Sequence, residues 1–159
     1  MDGRPPIGQR FPRALSLKRR RLIRPLFARG RSDVFEVSAG VVKVLCRFAP
    51  PHEVGRAVPF QAGFAPGRRA RTNAGRTHLR RLMRETFRVH QQPLVDLLLD
   101  RAAPHSAPPV LTMMWLFRGR EATASADLRR DIPRALRRLS ERLADAGRPD
   151  GQAEVNPER

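Results

Sequence analysis

Residues 110–143 read VLTMMWLFRGREATASADLRRDIPRALRRLSERL, and this stretch decides the fold. Val110 to Phe117 is an almost unbroken apolar run of strand length, flanked by Pro108-Pro109 and Gly119. Ser125 or Asp127 can then cap a helix carrying Leu128, Ile132, Leu136, Leu139 and Leu143, which recur at helical spacing. Pro133 is expected near the first turns of that helix, where a proline costs less than in mid-helix.

Working back along the chain, Arg76 to about Val89 is RTHLRRLMRETFRV. At 100° per residue, Leu79, Leu82, Met83 and Phe87 cover one arc and Arg80, Arg81, Arg84 and Arg88 the adjoining one, so a strongly amphipathic helix with an arginine face is expected. Leu94 to Leu99 continues an apolar helical pattern beyond Pro93. Val34 to Phe48 favours a strand through Val41, Val42, Val44 and Leu45, and Val58 to Phe64 reads as another. Pro50-Pro51 and Gly55 between them suit a hairpin-like connection. Residues 16–30, SLKRRRLIRPLFARG, place Leu22, Ile23, Leu26 and Phe27 at helical spacing after a capping Ser16, with Gly30 as the stop and Pro25 as a bend or a late start. The order α-β-β-α-β-α predicts a small two-layer α/β (α+β) sandwich with one sheet. Residues 1–13 read as a disordered basic arm, 14–145 as one domain and 146–159 as a disordered tail.

The chain has 159 residues, with 32 Lys plus Arg against 15 Asp plus Glu, a net charge of +17. That balance asks for a polyanionic partner. A coding bias towards arginine explains why Lys18 and Lys43 are the only lysines, but it exchanges like charges and so leaves +17 to be explained. The single Cys46 excludes an internal disulfide framework and reads as a small core residue. No apolar run is long enough to span a membrane, and the basic first thirty residues do not read as a signal peptide. A soluble cytoplasmic protein is expected.

Catalytic constellations are weak. His52, His90 and His105 lie in or beside Pro-rich connections, no His or Cys spacing matches a metal site, and most acidic residues sit next to arginines, which points to ion pairing. No catalytic side chain is assigned. The basic features are stronger. Residues 66–88, PGRRARTNAGRTHLRRLMRETFR, hold eight arginines and the single acid Glu85. Arg76, Arg80, Arg84 and Arg88 are each four apart, a spacing at which like charges repel unless a polyanion relieves them. Lys18 to Arg21 put positive charge at a helix start, against the helix dipole.

Residues 17–30 and 63–88 resemble the protein component of bacterial ribonuclease P. Leu17, Ile23, Phe27 and Gly30 match that family's opening frame, with Ile23 in place of one of two aromatic residues. Gly63, Arg68 and Arg69 fall on its glycine and lysine positions, and Arg76 to Glu85 fall without a gap on its arginine-rich signature, with Thr77 and His78 replacing an Asn and an Arg. Ala65 and Gly67 stand where the family has serines. The resemblance covers roughly residues 14–145. It implies a ribosomal-protein-like fold with a left-handed crossover. It also implies the RNA-binding subunit of an endoribonuclease that removes the 5′ leader from precursor tRNA, with catalysis by an RNA component and Mg2+ bound mainly by that RNA. The partners implied are the catalytic RNA and precursor tRNA, with no membrane and no required protein partner. With the charge pattern, it nominates Lys18, Arg19, Arg68, Arg69, Arg76, His78, Arg80, Arg81, Arg84 and Arg88 as RNA-binding residues, and Ile23 and Phe27 as the cleft for the single-stranded leader. Two other readings stand beside it: a structural RNA binder of the ribosomal-protein type, and a basic amphipathic protein lying on anionic membranes.

Overall fold

In the computed structural model, which describes residues 11–68, 70–101 and 107–146, the apolar run Val110–Phe117 forms the last strand of a four-stranded mixed sheet. In chain order the elements are α1 (Arg20–Phe27), β1 (Val34–Ala39), β2 (Val42–Ala49), α2 (Pro51–Val54), β3 (Phe60–Ala65), α3 (Asn73–His90), α4 (Gln92–Asp100), β4 (Val110–Phe117) and α5 (Ala124–Ala146). The strand order is β1-β2-β4-β3. β4 runs antiparallel to β2 and parallel to β3, so both its edges are hydrogen-bonded. The fold is mixed α/β, with five helices among the described residues.

Alternation along the strands divides the core. On one face Val44, Cys46, Phe60, Phe64, Met113 and Trp115 pack against Leu79, Met83 and Phe87 of α3 and Leu128, Ile132 and Leu139 of α5. Phe87 is the hub, its ring 5.3 Å from Trp115, 5.6 Å from Phe60 and 5.5 Å from Phe64 in edge-to-face geometry. Burial pushes the Cys46 thiol well above its ordinary pKa, and it serves as a small core residue. On the opposite face Leu22 and Leu26 of α1 cover Leu45 and Met114.

Several expectations are corrected. Helices lie on both faces of the sheet, so the architecture is not two-layered. The segment 34–48 is two strands rather than one. Ala39 pairs with Val42, and Gly40 with Val41 makes the turn, Gly40 at φ +54°. No hairpin joins β2 to β3. Pro51–Val54 is a helical turn, and β4 lies between the two strands. Ser16 does not cap α1, which starts at Arg20; Ser16, outside any strand, pairs with Ala62 of β3 as an isolated parallel bridge. Ser125 and Asp127 lie inside α5, and Pro133 is well inside it, the tenth residue counted from Ala124. Residues 1–10 of the expected arm and 147–159 of the expected tail lie outside the described residues. Phe11, placed in that arm, is buried against Phe64 and Phe87 at ring distances of 5.8 Å and 5.9 Å.

Asp131 of α5 fastens the β1–β2 turn. Its carboxylate accepts the Val41 N–H at 3.0 Å and pairs with Arg130 at 2.9 Å and Arg134 at 3.1 Å. It fills the space beside Gly40 so completely that a Cβ there would stand 2.1 Å from Oδ2. Asp131 is fully buried, and its arginine partners hold its pKa down from 3.8 to about 2. A carboxylate depressed in the fold stabilises it above the ordinary pKa and loses that contribution as pH falls through the folded value. Asp131→Asn should therefore lower stability at neutral pH by about 1–3 kcal/mol, as it weakens a buried acceptor. In urea unfolding, the gap between wild type and variant should narrow as pH falls from 3.8 towards 2. A gap independent of pH would show that the charge of Asp131 is not what holds the turn.

Candidate nucleic-acid interface

The arginine-rich helix α3 is capped by Thr72, whose Oγ1 accepts the Gly75 N–H at 2.9 Å. It buries Leu79, Met83, Thr86 and Phe87. Helical spacing then puts Arg76, Arg80, Arg84 and Arg88 on one flank of the buried arc, with Arg81 beyond them. His78 falls on the opposite flank, exposed and apart from Arg80.

The flank meets the outer edge of β3. Arg80 Nε donates to the Phe64 carbonyl at 3.4 Å, and Arg76 Nε donates to the Ala70 carbonyl at 3.1 Å. Two residues before Phe64, the Ala62 carbonyl on the same edge accepts the Leu17 N–H at 3.0 Å. Carbonyls two residues apart on a strand are about 7 Å apart. Exposed Lys18, next to Leu17, therefore starts from the edge that Arg80 reaches. The loop after β3 adds exposed Arg68 and Arg71. That loop is drawn tight at Gly67, φ +80°, where a Cβ would stand 2.6 Å from the Phe117 carbonyl oxygen. Arg69 lies outside the described residues.

Charge is distributed unevenly. Several carboxylates elsewhere are held in ion pairs. Asp33 binds Arg31 at 2.8 Å and Arg47 at 2.9 Å, Glu53 binds Arg47 at 3.2 Å, and Glu36 binds Lys43 at 2.9 Å. The two arginines hold Asp33 well below the usual carboxylate range. Among the described residues Arg76, Arg80, Arg81 and Arg84 form no ion pair, and of that row only Arg88 is paired, to Glu85 at 3.0 Å. Arg76 and Arg80 are steadied by neutral carbonyls through Nε, which leaves their outer N–H groups free for phosphate oxygens.

α1 lies across the sheet from α3. Arg19 donates to the Val54 carbonyl at 3.3 Å and Arg21 to the Glu53 carbonyl at 2.7 Å, which ties α1 to α2. Ile23 is half-buried against the second core. Phe27 is 52% exposed and shares the solvent side of α1 with Arg20 and Arg24, while Leu22 and Leu26 face the sheet. Beyond the C-terminal end of α1 a groove of about 390 Å3 runs between Leu26, Ala28, Arg31, Val34, Phe35, Glu36, Leu45 and Arg142. The structure thus gathers Arg68, Arg76, Arg80, Arg81, Arg84 and Lys18 around the β3 edge. It leaves His78 on another flank and puts Phe27 on α1's outer side.

Arg142 and its neighbours on α5 carry no weight in a reading by apolar spacing, which sees only a core helix. Arg130, Arg134, Arg138 and Arg142 nevertheless repeat the four-residue spacing of the α3 row. Set beside protein-family models, curated proteins and solved structures, the chain matches none.

The exposure of Phe27 sets an expectation that thermal melting checks. Phe27→Ala should change stability by no more than about 0.5 kcal/mol, as surface substitutions do. Leu22→Ala, five residues earlier and fully buried, should cost about 2–5 kcal/mol. A large loss for Phe27→Ala would make it a packing residue.

Proposed function

We propose that this chain is an RNA-binding subunit of the ribonuclease P type, which assists a catalytic RNA in removing 5′ leaders from precursor tRNA. One observation carries the reading. The arginine flank of α3 meets the β3 edge with no carboxylate partner on Arg76, Arg80, Arg81 or Arg84, in a molecule that pairs Asp33, Glu36, Glu53 and Asp131. A row of unneutralised charge, half of it anchored to carbonyls, suits a phosphate backbone. The order of the elements supports the same reading. β3 and β4 are parallel neighbours joined through α3 and α4, the connection in which the left-handed crossover of a ribosomal-protein-like fold would lie.

In this reading Lys18, Arg68, Arg76, Arg80, Arg81 and Arg84 dock on the catalytic RNA, Arg19 adds a further RNA contact, and Ile23 and Phe27 line the cleft for the single-stranded leader. Mg2+ belongs to the RNA component. The described residues offer no group of three His, Cys, Asp or Glu side chains that could hold it. The proposed setting is the cytoplasm, and among the described residues no helix is long and apolar enough to cross a membrane.

Cleavage of precursor tRNA by the purified chain with a bacterial catalytic RNA and Mg2+ tests the reading. The chain should accelerate leader removal by that RNA and cleave nothing by itself. Arg80→Ala with Arg84→Ala should weaken assembly with the catalytic RNA and reduce the slope of log affinity against log salt by about one unit per lost phosphate. Phe27→Ala should leave assembly intact and weaken precursor binding by about 1–3 kcal/mol, without touching mature tRNA. Tight RNA binding with no effect on cleavage would favour a structural RNA binder instead.

A further inference from the structure

The arginines of α5 form a second basic surface, at the opposite edge of the sheet from the α3 row. β1 is an outer strand, and its free carbonyls point towards α5. Arg142 Nη1 donates to the Glu36 carbonyl at 2.9 Å, and Arg138 Nη1 donates to the Ser38 carbonyl. The Arg142 guanidinium also lies over the Phe35 ring, 4.8 Å from its centroid. Each arginine uses one N–H on the strand and keeps the others for a further acceptor.

This surface is continuous with the groove at the end of α1. Arg142 and Phe35 line that groove together with Arg31, Leu26 and Ala28. Leu26 belongs to the core on the α1 side of the sheet, whereas Phe35 packs against the core on the α5 side. The groove therefore turns around the β1 edge and connects the two sides.

The neighbouring acids set its direction. Asp127 and Asp131 are occupied by Arg130 and Arg134, and Glu36 by Lys43. Asp33 is likewise occupied by Arg31 and Arg47, and exposed Glu141 and Asp145 near the end of α5 repel phosphate there, so a bound strand leaves Arg142 towards Phe35 and α1. An aromatic ring capped by a guanidinium, with fixed arginines on either side, is a combination that single-stranded nucleic acid uses for its bases and its backbone.

We propose that a single-stranded RNA lying against α1 continues around the β1 edge, with its phosphates on Arg142 and Arg138 and a base against the Phe35–Arg142 pair. The proposal rests on the RNA-binding reading above and extends it to a surface remote from the α3 row.

The test is anisotropy binding of single-stranded RNA oligonucleotides of about 4 and about 12 nucleotides, within the range of site sizes common for single-strand binders, over a salt series. The wild-type chain should bind the longer strand more tightly and with a steeper salt slope. Arg138→Gln with Arg142→Gln should remove most of the gain with length and lower the slope by about 0.7 per lost phosphate contact. Arg80→Ala with Arg84→Ala should leave that gain in place. A double variant that lowers the melting temperature, or self-associates, at an unchanged slope would show that these arginines only guard the strand edge, and would overturn the proposal. Should the variant fail to fold, wild-type chain crosslinked to 4-thiouridine RNA decides. Crosslinks in residues 31–36 and 134–142 support the path, and crosslinks confined to α3 overturn it. Absence of any salt-dependent RNA binding by the wild type would instead remove the RNA-binding reading itself.

Discussion

β4 is buried on both faces, with only Leu116 half-exposed, and is hydrogen-bonded on both edges, and the other elements are placed by that. Leu111, Met113 and Trp115 are buried on one side and Val110 and Met114 on the other, while β2 and β3 hydrogen-bond its two edges. Close packing leaves the Trp115 indole N–H of this strand buried with no acceptor among the described residues. Because β3 runs parallel to β4, no tight turn can join them. The connection must cross a face of the sheet, and α3 and α4 do this. The antiparallel β1–β2 hairpin is thereby left at the opposite edge, where α5 returns along it.

The sequence made the strongest periodicities legible. The run 110–117, the leucine spacing of α5 and the arginine and apolar arcs of α3 all became the elements they suggested, because each rests on many residues. Single-residue events were hidden. Gly40 ends β1 inside a valine-rich stretch that reads as one strand, and the carboxylate that makes glycine necessary there lies 91 positions away, at Asp131. Proline was misleading for a similar reason. Pro25 and Pro133 both sit inside helices, each of which is held down by buried leucines that outweigh one missing backbone bond. Phe11 belongs to a Pro- and Arg-rich stretch without a pattern, and only the Phe64–Phe87 cluster explains its burial.

The candidate site was legible in charge but not in placement. The spacing of Arg76, Arg80 and Arg84 on one flank follows from the helical period alone. That Arg80 reaches a carbonyl of β3, or that His78 leaves the row, depends on which arc the core selects. The α5 arginines show the same gap more plainly. Their spacing stands in the sequence, but the strand edge that fixes them belongs to residues about a hundred positions earlier.

Both outer edges of the sheet are thus finished in related ways, and a physical reason joins them. A free strand edge presents unpaired carbonyls that invite another strand. Arginine can occupy such a carbonyl with one N–H and still carry its charge and remaining donors outward, which the compact ammonium of lysine does with fewer donors and a less fixed geometry. Arg80 does this on β3, and Arg138 and Arg142 do it on β1. The anchoring bond also removes side-chain freedom before any ligand arrives, so less entropy remains to be lost on binding. The contacts that close the edges to strand pairing therefore also preorganise the charge that a phosphate backbone would meet.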